Sequence, residues 1–154
     1  MSQWFECKVK YDRLADNGMT KTVSEPYLVD ALSFTEAEAR ITDKMLPFIS
    51  GEFSVDTVKR VKLSDIFYNE AGDRWYKVKT NFITIDEKTE KEKRSNVYYL
   101  VQAATFQGAV KNIDQVMGGT MIDYVIASLA ETQLMDVFEY KKVETKNDKP
   151  EYEQ

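Results

Sequence analysis

The chain has 154 residues, 31% of them charged and 43% hydrophobic, and carries a net charge of −5. That length buries roughly 70% of the unfolded surface, so no disulfide or metal staple is needed, and the acidic balance argues against a strong non-specific duplex binder. Histidine is absent, which removes ordinary catalytic triads and zinc sites, and no apolar run reaches the roughly 20 residues of a membrane span.

Residues 4–11 alternate as a strand, with Phe5, Cys7, Val9 and Tyr11 on one face and Trp4, Glu6, Lys8 and Lys10 on the other. Asn17-Gly18 marks a turn, and residues 23–31 return as a second strand with Pro26 near its start. Ser33 then starts a helix, with Glu36 completing a capping box. Phe34, Ala37, Ile41, Met45 and Phe48 form its apolar stripe, and residues 47–51, from a proline to a glycine, stop it. Residues 53–63 are rich in Val and Thr and read as a third strand, with 65–68 as a short fourth strand or an extension of it. Residues 69–73 form a turn-rich joint.

The pattern then repeats. YLVDALSFTEAEARI at 27–41 recurs as YLVQAATFQGAVKNI at 99–113, with Tyr, Leu, Val, Ala, Phe, Ala and Ile identical at an offset of 72. Ordinary residue usage gives roughly one match in fifteen. Trp75-Tyr76 answers Trp4-Phe5, and a strand runs from there to about residue 86. Residues 87–94 form a mixed-charge, solvated hairpin tip, and 96–104 the return strand. Thr105 caps a second helix whose stripe includes Phe106, Ala109, Val110, Ile113 and Val116, and which ends at Gly118-Gly119. Residues 121–129 are a further strand, and 135–138 echo 64–67. The expected fold is therefore α+β: one domain over 1–140 made of two ββαβ repeats, about 3–69 and 74–140, related by a pseudo-two-fold. Each repeat has an antiparallel-rich sheet and a helix that buries Phe34 or Phe106, with room for a short extra strand. Residues 141–154 hold four Lys and four acidic residues and read as a disordered tail.

Few residues point to chemistry. The sequence contains no phosphate-binding glycine loop, nucleophile elbow or paired Cys motif. The single Cys7 alternates onto the core face and reads as an inert thiol. Asp65 and Asp136 occupy matching positions in the repeats. They start the terminal strands, or, in an alternative reading, serve a carboxylate-based, metal-dependent enzyme. Trp4 with Lys8 and Lys10, and Trp75 with Lys77 and Lys79, share strand faces that combine aromatic and cationic side chains, as single-stranded nucleic-acid sites do. The plainer alternative is that each Trp covers the rim of its sheet while the Lys side chains solubilise the exposed side.

The opening WFECKVKYD and the stretch YLVDALSFTEAEARI resemble an uncharacterised domain family of Bacteroidetes and their phages and prophages. The resemblance implies a phage or mobile-element setting and carries no catalytic residue with it. Residues 1–12 lack the basic-then-apolar pattern of a signal peptide, and the expected location is the cytoplasm. The expected function is non-enzymatic and needs no cofactor or metal: an accessory protein that binds another macromolecule, first a protein. Single-stranded nucleic acid is the alternative partner, self-association through open sheet edges a further one, and a membrane is not expected.

Overall fold

The computed structural model describes residues 3–140. The expectation for the tail at 141–154 lies outside them. The chain runs β1 (Gln3–Leu14), β2 (Thr20–Ala31), α1 (Phe34–Met45), β3 (Phe53–Val61), β4 (Asp65–Phe67), β5 (Arg74–Ile85), β6 (Glu92–Ala103), α2 (Phe106–Met117), β7 (Tyr124–Glu131) and β8 (Asp136–Phe138). The fold is α+β, and each helix packs on a largely antiparallel four-stranded sheet. No helix among the described residues is long and apolar enough to cross a membrane.

The two sheets have the same plan. Their orders are β3-β1-β2-β8 and β7-β5-β6-β4. In each, a long antiparallel hairpin forms the centre, the strand after the helix flanks its first arm, and a three-residue strand lies parallel to its second arm. The register shift between Lys8 and Val9 leaves Asp56 of β3 unpaired, and the shift between Lys79 and Thr80 does the same for Ala127 of β7. Such bulges twist an edge strand away from unwanted pairing.

The boundaries of the sheets and of the sequence repeats do not coincide. Among the described residues, one compact unit contains residues 3–62 together with 134–140, and the other contains residues 63–133. The short strand closing each sheet thus comes from the other repeat: β8 pairs with β2, and β4 with β6. The docking contacts are matched. Phe138 stacks on Tyr27 at 5.8 Å, and Phe67 on Tyr99 at 5.1 Å. Met135 N–H donates to Pro26 O (2.9 Å), and Ser64 N–H to Tyr98 O (2.7 Å). Tyr140 N–H donates to Asp30 Oδ1 (2.7 Å), whereas Asn69 N–H donates to Gln102 Oε1 (2.9 Å). The helices fasten the same two residues, Arg40 Nη1 donating to Asp30 O (2.7 Å) and Asn112 Nδ2 to Gln102 O (3.0 Å). A charged set does in the first unit what neutral amides do in the second.

Each helix begins where a side-chain oxygen satisfies a free backbone N–H. Ser33 accepts from Glu36 N and Thr105 from Gly108 N. The buried stripes are Ala37, Ile41 and Met45, and Ala109, Ile113 and Met117. They cover Phe5, Cys7, Val9, Val29 and Ala31 in the first unit, and Tyr76, Val78, Tyr99, Val101 and Ala103 in the second. Thr80 stands where the first sheet has Val9, fully buried, and its hydroxyl donates to Val97 O (2.9 Å). That bond removes the penalty of an unpaired buried hydroxyl.

Phe34 and Phe106 depart from expectation. They are alike in the two units, but 48% and 49% exposed rather than buried. As the first helical residues they hang at the helix's end and meet the core edge-on, against Phe5 at 5.0 Å and Tyr76 at 6.3 Å. The strand expected at 96–104 starts earlier, at Glu92, because the charged residues 92–94 pair across the hairpin with Ile85, Thr84 and Ile83. The strand expected at 121–129 begins instead at Tyr124.

Candidate functional site

Strand alternation places Trp4, Lys8 and Lys10 on the face of β1 opposite the side chains that pack under α1, and Trp75, Lys77 and Lys79 on the corresponding face of β5. Lys8, Lys10 and Lys77 are exposed, and Lys79 and Trp4 are half-buried. Glu6 lies between Trp4 and Lys8 on that face and interrupts its positive character. Trp75 is 3% exposed, with its ring edge-on to Tyr68 at 5.8 Å. A base cannot stack on so covered a ring. The aromatic ring beside the β5 lysines is instead Tyr98, with Lys77 Nζ 5.6 Å from its centre.

Asp65 and Asp136 open β4 and β8. Each carboxylate accepts the next residue's N–H, from Ile66 and from Val137, at 2.8 Å. Both are thus engaged in starting a strand, each in its own sheet, and no cluster of three or more acidic or Cys ligands occurs among the described residues. Cys7 is fully buried. Burial pushes its thiol up to about 12, with Glu6 and Glu38 adding to the effect, so the nucleophilic thiolate is scarce at neutral pH.

The sheet edges offer a different kind of site. In the first unit β3 is an edge strand, and an open groove of about 650 Å³ runs between it and α1. One wall is the α1 stripe Glu38, Thr42 and Leu46, spaced by four residues so that the three project in a row. The other wall is the start of β3, Phe53 to Val55, reached through Gly51 and Glu52. Phe53 and Val55 pack half-buried on the helix-side core, and Leu46 is 60% exposed. The floor is thus apolar, and the charges among the lining residues are the carboxylates of Glu38 and Glu52.

The second unit builds the same place differently. There the hydroxyl of Tyr124, first residue of β7, donates to Asp114 Oδ1 of α2 at 2.8 Å. This bond ties the edge strand to the helix, and burial with the Asp114 carboxylate raises the Tyr124 phenol to about 12. The first unit has Phe53 and Thr42 at these positions, and the Thr42 hydroxyl turns back to Glu38 O (2.7 Å). No polar bridge can form between a phenyl ring and that hydroxyl. Val110 and Gly118 replace Glu38 and Leu46 in the second repeat. The sequence carried this signal in four of the many differences between the repeats, but it takes the fold to bring them to one groove.

The family described as Domain of unknown function (DUF4494) matches residues 3–140. The chain belongs to this family. The match spans both repeats and both short exchanged strands, so family membership covers the complete pair of sheets rather than one repeat. No curated protein and no solved structure matches the chain.

Proposed function

We propose that this chain is a non-enzymatic accessory protein that binds another protein, with the partner docking along the open edge of the first sheet. The observation that carries this reading is the apolar groove between α1 and β3, lying beside a strand at the sheet's edge. Edge strands present backbone N–H and C=O groups that an extended segment can pair with, while side-chain pockets alongside choose the sequence. The lack of histidine and the engagement of Asp65 and Asp136 in strand starts support a binding role over a catalytic one. The resemblance in residues 4–12 and 27–41 supports a phage or prophage setting in a Bacteroidetes host, and the unpaired, buried Cys7 fits a reducing cytoplasm.

The test is affinity capture with the full chain from the bacterium that carries it, with and without nuclease, followed by mass spectrometry. A protein partner retained after nuclease treatment and bound again by the purified chain is the expected result. Capture that vanishes with nuclease would move the function to nucleic acid, with Lys77, Lys79 and Tyr98 as the residues to examine. Recovery of further copies of the same chain alone would indicate self-association.

A further inference from the structure

We infer that the groove between α1 and β3 takes an extended segment of the partner whose groove-facing side chains, every second residue, include both apolar groups and lysine or arginine; this rests on the protein-binding reading above. Phe53 and Val55 project toward the helix side and Ser54 away from it, so a strand added beside β3 follows the same alternation. Its alternate side chains enter a groove floored by Leu46, Phe53 and Val55, which selects apolar groups. Glu38 on the helix wall and Glu52 on the loop wall stand on either side of that floor. The adjoining hollow of about 380 Å³ shares Glu52, Phe53 and Ser54 and adds Lys10 and Asp12, whose charges offset one another. The net charge along the whole track is therefore negative and complements cationic side chains. The bulge at Asp56 limits regular pairing to the first residues of β3, so the recognised segment is short, and its affinity depends on these few side chains.

At the corresponding place the second unit has a bond across from edge strand to helix, the Tyr124–Asp114 hydrogen bond. Thr42→Asp combined with Phe53→Tyr transplants that bridge into the first unit, in an arrangement the fold already accommodates. The probe is a fluorescein-labelled lysine–valine peptide with serine at every second position, so that lysine and valine share one face of the strand, with the corresponding glutamate–valine peptide as control, titrated by fluorescence anisotropy at low salt against the full chain. We expect saturable binding of the lysine–valine peptide and none of the control. Glu38→Gln with Glu52→Gln should weaken binding about tenfold, as two partly exposed charge pairs allow. The Thr42→Asp, Phe53→Tyr variant should abolish it even though it adds a negative charge, and this separates occupancy of the groove from general attraction to an acidic protein. Binding that the bridged variant keeps or strengthens, equal binding of both peptides, or no binding by wild type would overturn the inference. If capture still returns a nuclease-resistant protein partner in any of those cases, the groove assignment alone fails; a nuclease-sensitive capture removes the protein-binding reading beneath it.

Discussion

Replacing Phe138 by Ala should loosen the first unit, although Phe138 belongs to the second repeat. Phe138 is the last residue of β8, stacked on Tyr27 at 5.8 Å with an interplanar angle of 12°, and Lys44 Nζ lies 5.4 Å from its ring. Truncating a fully buried Phe to Ala costs about 3–5 kcal/mol, and a half-buried ring roughly half of that. Loss of the aromatic pair adds about 0.5–1.5 kcal/mol. The expected loss is about 2–4 kcal/mol, enough to raise the local opening population about 30- to 900-fold. Amide hydrogen exchange read by mass spectrometry should show this acceleration in Thr20–Ala31, with Arg74–Ile85 close to wild type. Phe67→Ala should do the reverse, through its 5.1 Å stack on Tyr99, accelerating Glu92–Ala103. If each variant instead loosens the sheet of its own repeat, the assignment of β4 and β8 is wrong.

Three further predictions concern the fold. Gly72→Ala should destabilise by about 1–3 kcal/mol, because a Cβ there would sit 2.5 Å from the Ala103 backbone; Gly119→Ala, whose new Cβ meets nothing closer than 4.0 Å, is the near-neutral control in thermal melts. Ser33→Ala and Thr105→Ala should each cost about 1 kcal/mol in denaturant titrations, since each hydroxyl accepts a first-turn N–H. Cys7 is raised from 9.0 to about 12, chiefly by burial, and Tyr27 and Tyr124 from 10.0 to about 12. Groups held above their unfolded values contribute stability that is complete below those values and is lost as pH rises through the folded ones. Denaturation midpoints should therefore hold to about pH 9 and fall between about pH 9 and 12, and Cys7 should resist a thiol reagent in the native state near neutral pH while reacting in denaturant.

Much of the fold was legible in the sequence because its local signals agree with one another. Ser33 and Thr105 cap the helices they were expected to cap, Ala37, Ile41, Met45, Ala109 and Ile113 of the expected stripes are buried, and the Asn17-Gly18 turn adopts the left-handed φ of 81° at Gly18; Phe48 and Val116 of those stripes are instead exposed, and Met117 is buried one residue after Val116. The exchange of β4 and β8 was not legible. Asp-Ile-Phe and Asp-Val-Phe offer either sheet the same pattern, so residue type could not choose between Tyr27 and Tyr99 as the stacking partner. Phe34 and Phe106 fitted the helical period but lie at its first position, where no further turn of helix covers the ring. Alternation put Trp75 on the Lys77 and Lys79 face without showing that Tyr68 would meet it. The groove was missed because it turns on a bridge that Phe53 and Thr42 cannot make. Their counterparts Tyr124 and Asp114 form a bridge that only the three-dimensional pairing of β7 with α2 brings within reach.

The protein-binding account is tested most directly by a hydrogen-exchange footprint of the full chain with and without the protein it captures. Protection concentrated on Phe53–Val61 and on the Glu38, Thr42 and Leu46 side of α1 is the predicted result. Unchanged exchange there, with protection over Lys77, Lys79 and Tyr98 instead, would contradict it.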